Sequence, residues 1–112
     1  MEIAVKNKKL KEALESEGAA RRQYGKDMAK KLHMRRDALI AAESLADFWP
    51  PSSLPERVHE LKGDLKDTFS IDLKHPYRLL FKAVDAIDHD DDRTRWRSIK
   101  KVEAVSIEDT HG

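Results

Sequence analysis

The sequence predicts a single α+β domain over residues 1–112, a small antiparallel sheet with an N-terminal αα-hairpin packed on one face. Two observations predict this class. Apolar residues between positions 8 and 48 follow the 3.6-residue period of helices, whereas those between 68 and 84 alternate or run continuously, as in strands. Helices that precede the strands, rather than alternating with them, are typical of α+β domains. The length suits one domain.

The chain is predicted to begin with a strand at Glu2–Val5, followed by a helix over residues 8–17. Asn7 is a good N-cap because its side chain can accept a hydrogen bond from the first turn. Leu10, Ala13 and Leu14 supply an apolar stripe. Gly18 is expected to end the helix as its C′ residue.

A second, longer helix is predicted over residues 19–48, completing the hairpin. Its apolar residues keep helical spacing throughout. Gly25 is expected to weaken this helix by about 1 kcal/mol relative to alanine without breaking it. Three prolines between positions 50 and 55 end the helical half.

The predicted strands of the second half cover residues 57–62, 68–73, 77–84 and 98–107. Phe69, Ile71 and Leu73 alternate with polar residues, so we expect them to face the core. Gly63-Asp64 and His75-Pro76 are turn signals between strands. The spacing of apolar residues in the last strand predicts a bulge or a late start.

Composition excludes several classes of protein. The chain has no cysteine, so disulfides, zinc thiolate sites and cysteine nucleophiles are ruled out, and a reducing cytoplasm is compatible. No apolar run approaches the roughly 20 residues of a membrane span, so no membrane partner is expected. Residues 1–40 carry eleven Lys/Arg against six Asp/Glu, and residues 83–112 carry five against eight. A basic N-terminal half can bind RNA phosphates or an acidic partner.

Cationic side chains and histidines are concentrated between residues 59 and 78. His59 is a candidate acid or base, and Lys62 and Arg78 are candidate phosphate ligands. These groups on a rigid sheet are what binding or cleaving a phosphodiester requires. Lys66 and His75 lie in or near turns and are expected to face solvent.

Each of these residues also has a structural interpretation. His59 can be an ordinary surface histidine, and Lys62 a solvated turn lysine. Arg78 interrupts an apolar strand, where a charge is costly unless it is paired or used. An ion pair with Asp72 or Glu60 is therefore the competing interpretation of Arg78.

Two further charged segments are weaker signals. The acidic run at residues 88–92 lacks the glycine and the distal glutamate of an EF-hand loop, so a solvated loop is expected and no metal site is predicted. Lys26, Lys30 and Arg35 lie on the second predicted helix. Solvent, ribosomal RNA and a protein partner are all candidates to cover that basic face.

Six stretches carry a resemblance to a known family, in one order along nearly the whole chain. They are Glu2-Ile3-Ala4-Val5-Lys6, residues 24–31, 41–47, 59–64 and 69–79, and Glu108-Asp109-Thr110-His111. In this order they resemble the RelE/ParE toxin superfamily of type II toxin–antitoxin systems, and most closely its HigB-like branch of plasmid maintenance killer proteins.

The resemblance implies a cytoplasmic, ribosome-dependent endoribonuclease that cuts mRNA without a metal or other cofactor. It implies neutralisation by a cognate helix-turn-helix antitoxin of the HigA type. By the same resemblance the catalytic residues would be His59, Lys62, Arg78, Asp109 and His111. Residues that would contact RNA or the ribosome are Lys26, Lys30, Arg35 and Lys66.

Two alternatives stay open, and two departures from the family pattern bear on the second of them. Thr110 stands where the family's closing motif has tyrosine, and Leu65-Lys66-Asp67 replaces Arg-Lys-Gly. The first alternative is a toxin that binds a protein target, as ParE-type relatives inhibit DNA gyrase. The second is an inactive toxin that still binds its antitoxin.

Overall fold

The structure is a computed structural model that describes residues 1–63 and 65–109. Asp64, Thr110, His111 and Gly112 lie outside the described residues. The helices are α1 (Lys8–Glu15), α2 (Glu17–Tyr24), α3 (Lys26–Ala41) and α4 (Asp92–Ser98), and Leu45–Phe48 form a 3₁₀ turn. The strands are β1 (Glu2–Val5), β2 (His59–Glu60), β3 (Thr68–Asp72), β4 (Tyr77–Ala83) and β5 (Lys101–Asp109).

The five strands form one sheet in the order β1-β5-β4-β3-β2. The α+β class is confirmed, but the sheet is mixed rather than antiparallel, because β1 runs parallel to β5. β2 through β5 pair in antiparallel fashion, with a register shift between Leu80 and Phe81 that leaves an extra residue on β5. The predicted strand at 57–62 is reduced to the two residues of β2.

The predicted helical hairpin contains three helices instead of two. The predicted end of the first helix at Gly18 is wrong, and so is the unbroken second helix predicted over residues 19–48. Gly18 lies inside α2, and Ser16 ends α1 while its Oγ accepts a hydrogen bond from Ala19 N at 3.2 Å to begin α2. The helix predicted over 19–48 breaks at Gly25, where φ is +88° and ψ is 166°. That conformation is essentially restricted to glycine.

The core is one buried cluster shared by the helices and the sheet. Phe69 and Ile71 of β3 and Leu79 and Phe81 of β4 are almost fully buried. Because strand side chains alternate, these four residues lie on one face of the sheet. The helical contribution includes Leu10, Leu14, Met28, Leu32 and Leu39. Val102 and Ala104 extend the apolar face onto β5.

Helix α4 was not predicted, since residues 92–98 contain one apolar side chain in a run of charges. Trp96 is that residue, and it is buried with edge-to-face contacts to Trp49 at 5.1 Å and Phe69 at 5.4 Å between ring centroids. The buried Arg95 guanidinium forms ion pairs with Glu60 and with Asp67, the latter at 2.8 Å. These contacts attach α4 to the end of β2 and β3.

Candidate active site

The register of β2, β3 and β4 places several polar side chains on the face of the sheet opposite the apolar core. His59 lies opposite Ser70, and Asp72 lies opposite Arg78. Ser70 and Asp72 are two residues apart on β3, so their side chains point to the same side. His59 and Arg78 therefore share one face, as an RNA-binding site on the sheet requires.

His59 is half-buried, and its polar contacts with the residues that the structure describes are long. Ser70 Oγ lies 3.4 Å from both ring nitrogens of His59, and Arg57 O lies 3.4 Å from its Nδ1. Contacts of this length hold a ring weakly. The imidazole is thus accessible from the polar face and is not committed to a strong structural hydrogen bond there.

Asp72 holds two arginines. Its Oδ1 lies 3.3 Å from Arg78 Nε, and its Oδ2 lies 3.6 Å from Arg57 Nε. The ion pair proposed as the competing interpretation of Arg78 is thus present, with Asp72 and not with Glu60, which pairs with Arg95. Two guanidinium groups on one carboxylate leave a net positive charge, so the cluster remains attractive to an anion.

Arg57 was not singled out from the sequence, although it belongs to this cluster. Its φ is +51°, in the left-handed region that few non-glycine residues adopt. Its N–H donates to Ser53 O at 2.7 Å, and the neighbouring Glu56 O accepts from Asp72 N at 2.9 Å. Strained backbone of this kind clusters at functional sites. A positive φ at a residue with so large a side chain cannot be predicted from the sequence.

The arginine cluster opens into a small cavity of about 130 Å³ beside the β3–β4 turn. Its lining includes Arg57, Asp72, His75, Tyr77 and Arg78. Asp72 Oδ1 is buried and accepts no hydrogen bond from any part of the chain that the structure describes. The cavity thus combines cationic side chains with a buried acceptor, in a volume suited to one small polar group.

The remaining site candidates lie at or near strand ends, and Asp109, which pairs with Tyr77, is on the face of the sheet opposite Arg78. Lys62 is exposed just after β2, and Lys66 is exposed with an ion pair to Asp88 at 3.5 Å. Asp109 ends β5 opposite Tyr77. His111 lies outside the described residues, as does Thr110, so these two predictions are not placed.

The predicted basic face on the helices needs one correction. Lys26 and Lys30 are exposed on α3, but Arg35 is buried. Arg35 Nε donates to Asp72 O at 2.7 Å, and its Nη2 donates to Pro55 O at 3.2 Å. Arg35 therefore connects α3 to β3 beneath the arginine cluster and does not belong to an RNA-binding surface.

Residues 1–63 and 65–109 contain neither a clustered set of metal ligands nor a membrane-spanning helix. No group of three or more His, Asp or Glu side chains there is arranged to hold a metal ion. The acidic run at 88–92 instead supplies Asp91 as the N-cap of α4. No helix in the same residues has the length and apolar character to cross a membrane.

Residues 4–92 match the family of HigB-like toxins, described as the RelE-like toxin of the type II toxin–antitoxin system HigB. This match covers more than half of the chain. The chain belongs to the HigB-like toxin family. Searches of curated proteins and of solved structures find no significant match. The predicted family is confirmed, and RelE-like toxins are translation-inhibiting endoribonucleases.

Membership of the HigB-like family bears on the site in two ways. A type II toxin has an antitoxin partner, so a second protein binds this chain. The match contains His59, Lys62 and the Arg57–Asp72–Arg78 cluster, and it ends at the first residue of α4. β5 and Asp109 lie beyond it.

Proposed function

We propose that this HigB-like toxin is a metal-independent endoribonuclease that cuts mRNA on the ribosome and thereby inhibits translation. It acts in the cytoplasm and is neutralised by a helix-turn-helix antitoxin of the HigA type. The observation that carries the proposal is the common face of His59, Arg57 and Arg78, with the two arginines held by Asp72.

The reaction requires three tasks of the protein. The 2′-hydroxyl of a ribose attacks the adjacent phosphorus, and the P–O5′ bond breaks. The protein must remove the proton of the 2′-hydroxyl, stabilise the charge on the phosphorane oxygens, and supply a proton to the leaving 5′-oxygen. His59 is suited to one proton transfer because its ring is accessible and weakly held. Arg57 and Arg78 are suited to stabilise the charge that develops on the phosphorane oxygens. Lys62 would contact a neighbouring phosphate.

The second proton transfer would fall to the C-terminal segment. Asp109 ends β5, and His111 follows two residues later. Asp109 lies opposite Tyr77, at the end of the sheet where Arg78 also stands. We assign His111 the second acid or base role and Asp109 the role of orienting it.

Geometry permits His59 and Arg78 to act on one phosphodiester. They are two strands apart and two residues offset, which corresponds to about 12 Å between Cα atoms. Histidine and arginine side chains that extend toward each other across such a gap can contact opposite sides of a phosphate. The long side chain of Arg78 leaves its terminal nitrogens beyond the Nε that faces Asp72.

A second candidate function is binding of the antitoxin without RNA cleavage. It is favoured by the Arg78–Asp72 ion pair, which is also a sufficient structural reason for an arginine on β4. In that case Arg78 contributes to the fold and not to chemistry.

The two candidates are separated by expressing the chain alone in a bacterial host and mapping mRNA ends by primer extension. New cuts that disappear when an antibiotic blocks translation are the expected result, together with growth arrest. Arrest without cuts would indicate a protein target such as gyrase. Folded protein without arrest would indicate the antitoxin-binding function alone. His59→Ala should abolish the cuts, whereas Lys8→Ala, on the exposed start of α1, should not.

A further inference from the structure

A second groove lies beside the candidate active site, between the break at Gly25 and the turn that joins β3 to β4. It has a volume of about 630 Å³. Tyr24, Lys26 and Asp27 line it from the helices, and Lys74, His75 and Tyr77 line it from the turn. No role in the proposed chemistry has been given to this groove.

Two tyrosines supply its aromatic surface. Tyr24 is 37% exposed and Tyr77 is 41% exposed, so part of each ring faces the groove or solvent. Partial burial raises the pKa of the Tyr24 phenol, which is neutral at physiological pH even at its ordinary value of about 10. Met28 is buried, so the tyrosine rings are the main apolar surface that the groove presents.

The charge of the groove is positive. Lys74 pairs with Asp27 at 3.4 Å, and this pair also connects the turn to the start of α3. Lys26 adds a further cation, fully on the surface. Neutral aromatic rings beside lysines are the combination that binds single-stranded nucleic acid, because bases stack on the rings and phosphates contact the cations.

The groove is continuous with the arginine cluster. His75 and Tyr77 line both this groove and the cavity at Arg57 and Arg78. Tyr77 and Arg78 are consecutive on β4 and point to opposite faces of the sheet, so an RNA strand whose phosphate contacts Arg78 would pass around the β3–β4 turn to bring its adjacent nucleotide to Tyr77. An acidic protein segment is the other anionic occupant, but it would leave the two exposed rings unused, and the stacking surface favours RNA.

We propose that the groove is a binding subsite for an unpaired RNA nucleotide adjacent to the scissile phosphate. A base stacks on Tyr77 or Tyr24, and Lys26 and Lys74 contact the flanking phosphates. This inference rests on the proposed ribonuclease function for the path of the strand, although nucleotide binding itself does not require cleavage.

The test measures binding without chemistry. A fluorescein-labelled, 2′-O-methylated RNA octamer cannot be cut by 2′-hydroxyl attack, and its affinity for the purified chain follows from fluorescence anisotropy. At least one of Tyr77→Ala and Tyr24→Ala, whichever removes the stacking ring, should weaken binding by about five- to a hundred-fold, the range that stacking of one base supports. Tyr77→Phe and Tyr24→Phe keep the stacking face and should bind within about two-fold of the unsubstituted chain.

Several outcomes would overturn the inference. Equal binding by the alanine variants would exclude the groove as the RNA site, and so would no binding by the unsubstituted chain. Loss of antitoxin binding in Tyr77→Ala, with octamer binding intact, would make the groove a protein interface. Thermal unfolding of each variant shows whether it is folded. Tyrosine-dependent octamer binding without translation-dependent cuts in cells would support the groove and reject the proposed function.

Discussion

Arg78 on β4 faces Asp72 on β3 across the sheet, with Arg78 Nε 3.3 Å from Asp72 Oδ1. The same carboxylate has Arg57 Nε 3.6 Å from its other oxygen. One acid thus orients two guanidinium groups toward a shared cavity without neutralising both. A phosphate that enters would find its cationic ligands already positioned, which is the condition under which such contacts lower a barrier most.

The first prediction concerns the forked geometry of Arg78. Arg78→Lys keeps the charge but loses the planar donors, so cleavage should fall by about 10²-fold, and Arg78→Ala should cost about 10²–10³-fold. The measurement is single-turnover cleavage of mRNA on programmed ribosomes. Arg93→Ala, an exposed arginine on α4, is the matched control and should cleave normally. Full activity of a folded Arg78→Ala protein would assign Arg78 to the fold alone.

A second prediction concerns the ion pairs that attach α4. The Arg95 side chain is 8% exposed, whereas its partners Glu60 and Asp67 are 23% and 33% exposed. Arg95→Ala leaves two partly buried carboxylates side by side and should lower the free energy of unfolding by about 2–4 kcal/mol. Urea unfolding measures this. Arg97→Ala on the exposed side of α4 should change stability by less than about 0.5 kcal/mol. Equal effects of the two substitutions would contradict the assignment.

The third prediction concerns the break between α2 and α3. At Gly25 a Cβ would meet nothing within 4 Å, so any cost of alanine comes from the backbone conformation alone. Gly25→Ala should cost about 1–3 kcal/mol in the free energy of unfolding. Gly18→Ala is the matched control, because Gly18 lies within α2 and an added Cβ would meet only the flexible end of Arg22 at 3.4 Å and Ser16 Oγ at an ordinary contact distance of 3.7 Å. Gly18→Ala should raise the free energy of unfolding by up to about 1 kcal/mol. If both substitutions changed the free energy of unfolding in the same direction, the explanation from backbone conformation would be contradicted.

How much the sequence predicted depends on how local the signal was. The strands around Phe69 and Leu79 were predicted because alternating and continuous apolar runs are short-range patterns. Helix α4 was missed because the residues that hold it are distant along the chain: Trp96 packs on Trp49 and Phe69, and Arg95 pairs with Glu60 and Asp67. Helix propensity alone predicts a weakened helix at Gly25, whereas the positive φ of that residue ends α2.

The residues of the candidate site also fall into those that have a local sequence signal and those that do not. His59 and Arg78 were predicted because their residue types suit phosphate chemistry, but Arg57 and Asp72 join them only through strand register and a left-handed backbone. Helical geometry separates Arg35 from the basic face that carries Lys26. At about 100° per residue the nine-residue spacing places the two on opposite sides of α3, so one of them had to face the core.

The fourth prediction concerns the N-cap of α4. The Thr94 hydroxyl donates to Asp91 Oδ2 at 2.6 Å and the Thr94 N–H donates at 2.9 Å, and these hydrogen bonds lower the pKa of the Asp91 carboxyl. The ionised form is therefore favoured by folding. The stabilisation of the fold by the ionised Asp91 carboxylate is fully present above the ordinary carboxyl pKa. It is lost as the pH falls through the lowered pKa of the folded state.

Asp91→Asn isolates this effect, since asparagine caps a helix about as well as aspartate and does not titrate. Thermal midpoints of the two proteins should differ by a constant amount near neutral pH, and the unsubstituted chain should lose stability relative to the variant as the solution is acidified. Titration of the other carboxyl groups is common to both and cancels in the difference. A difference that stays constant down to the lowest pH at which both proteins fold would show that Asp91 is not linked to folding. An NMR titration of Thr94→Val should then place the Asp91 pKa higher than in the unsubstituted chain, because the hydroxyl is the larger of the two causes.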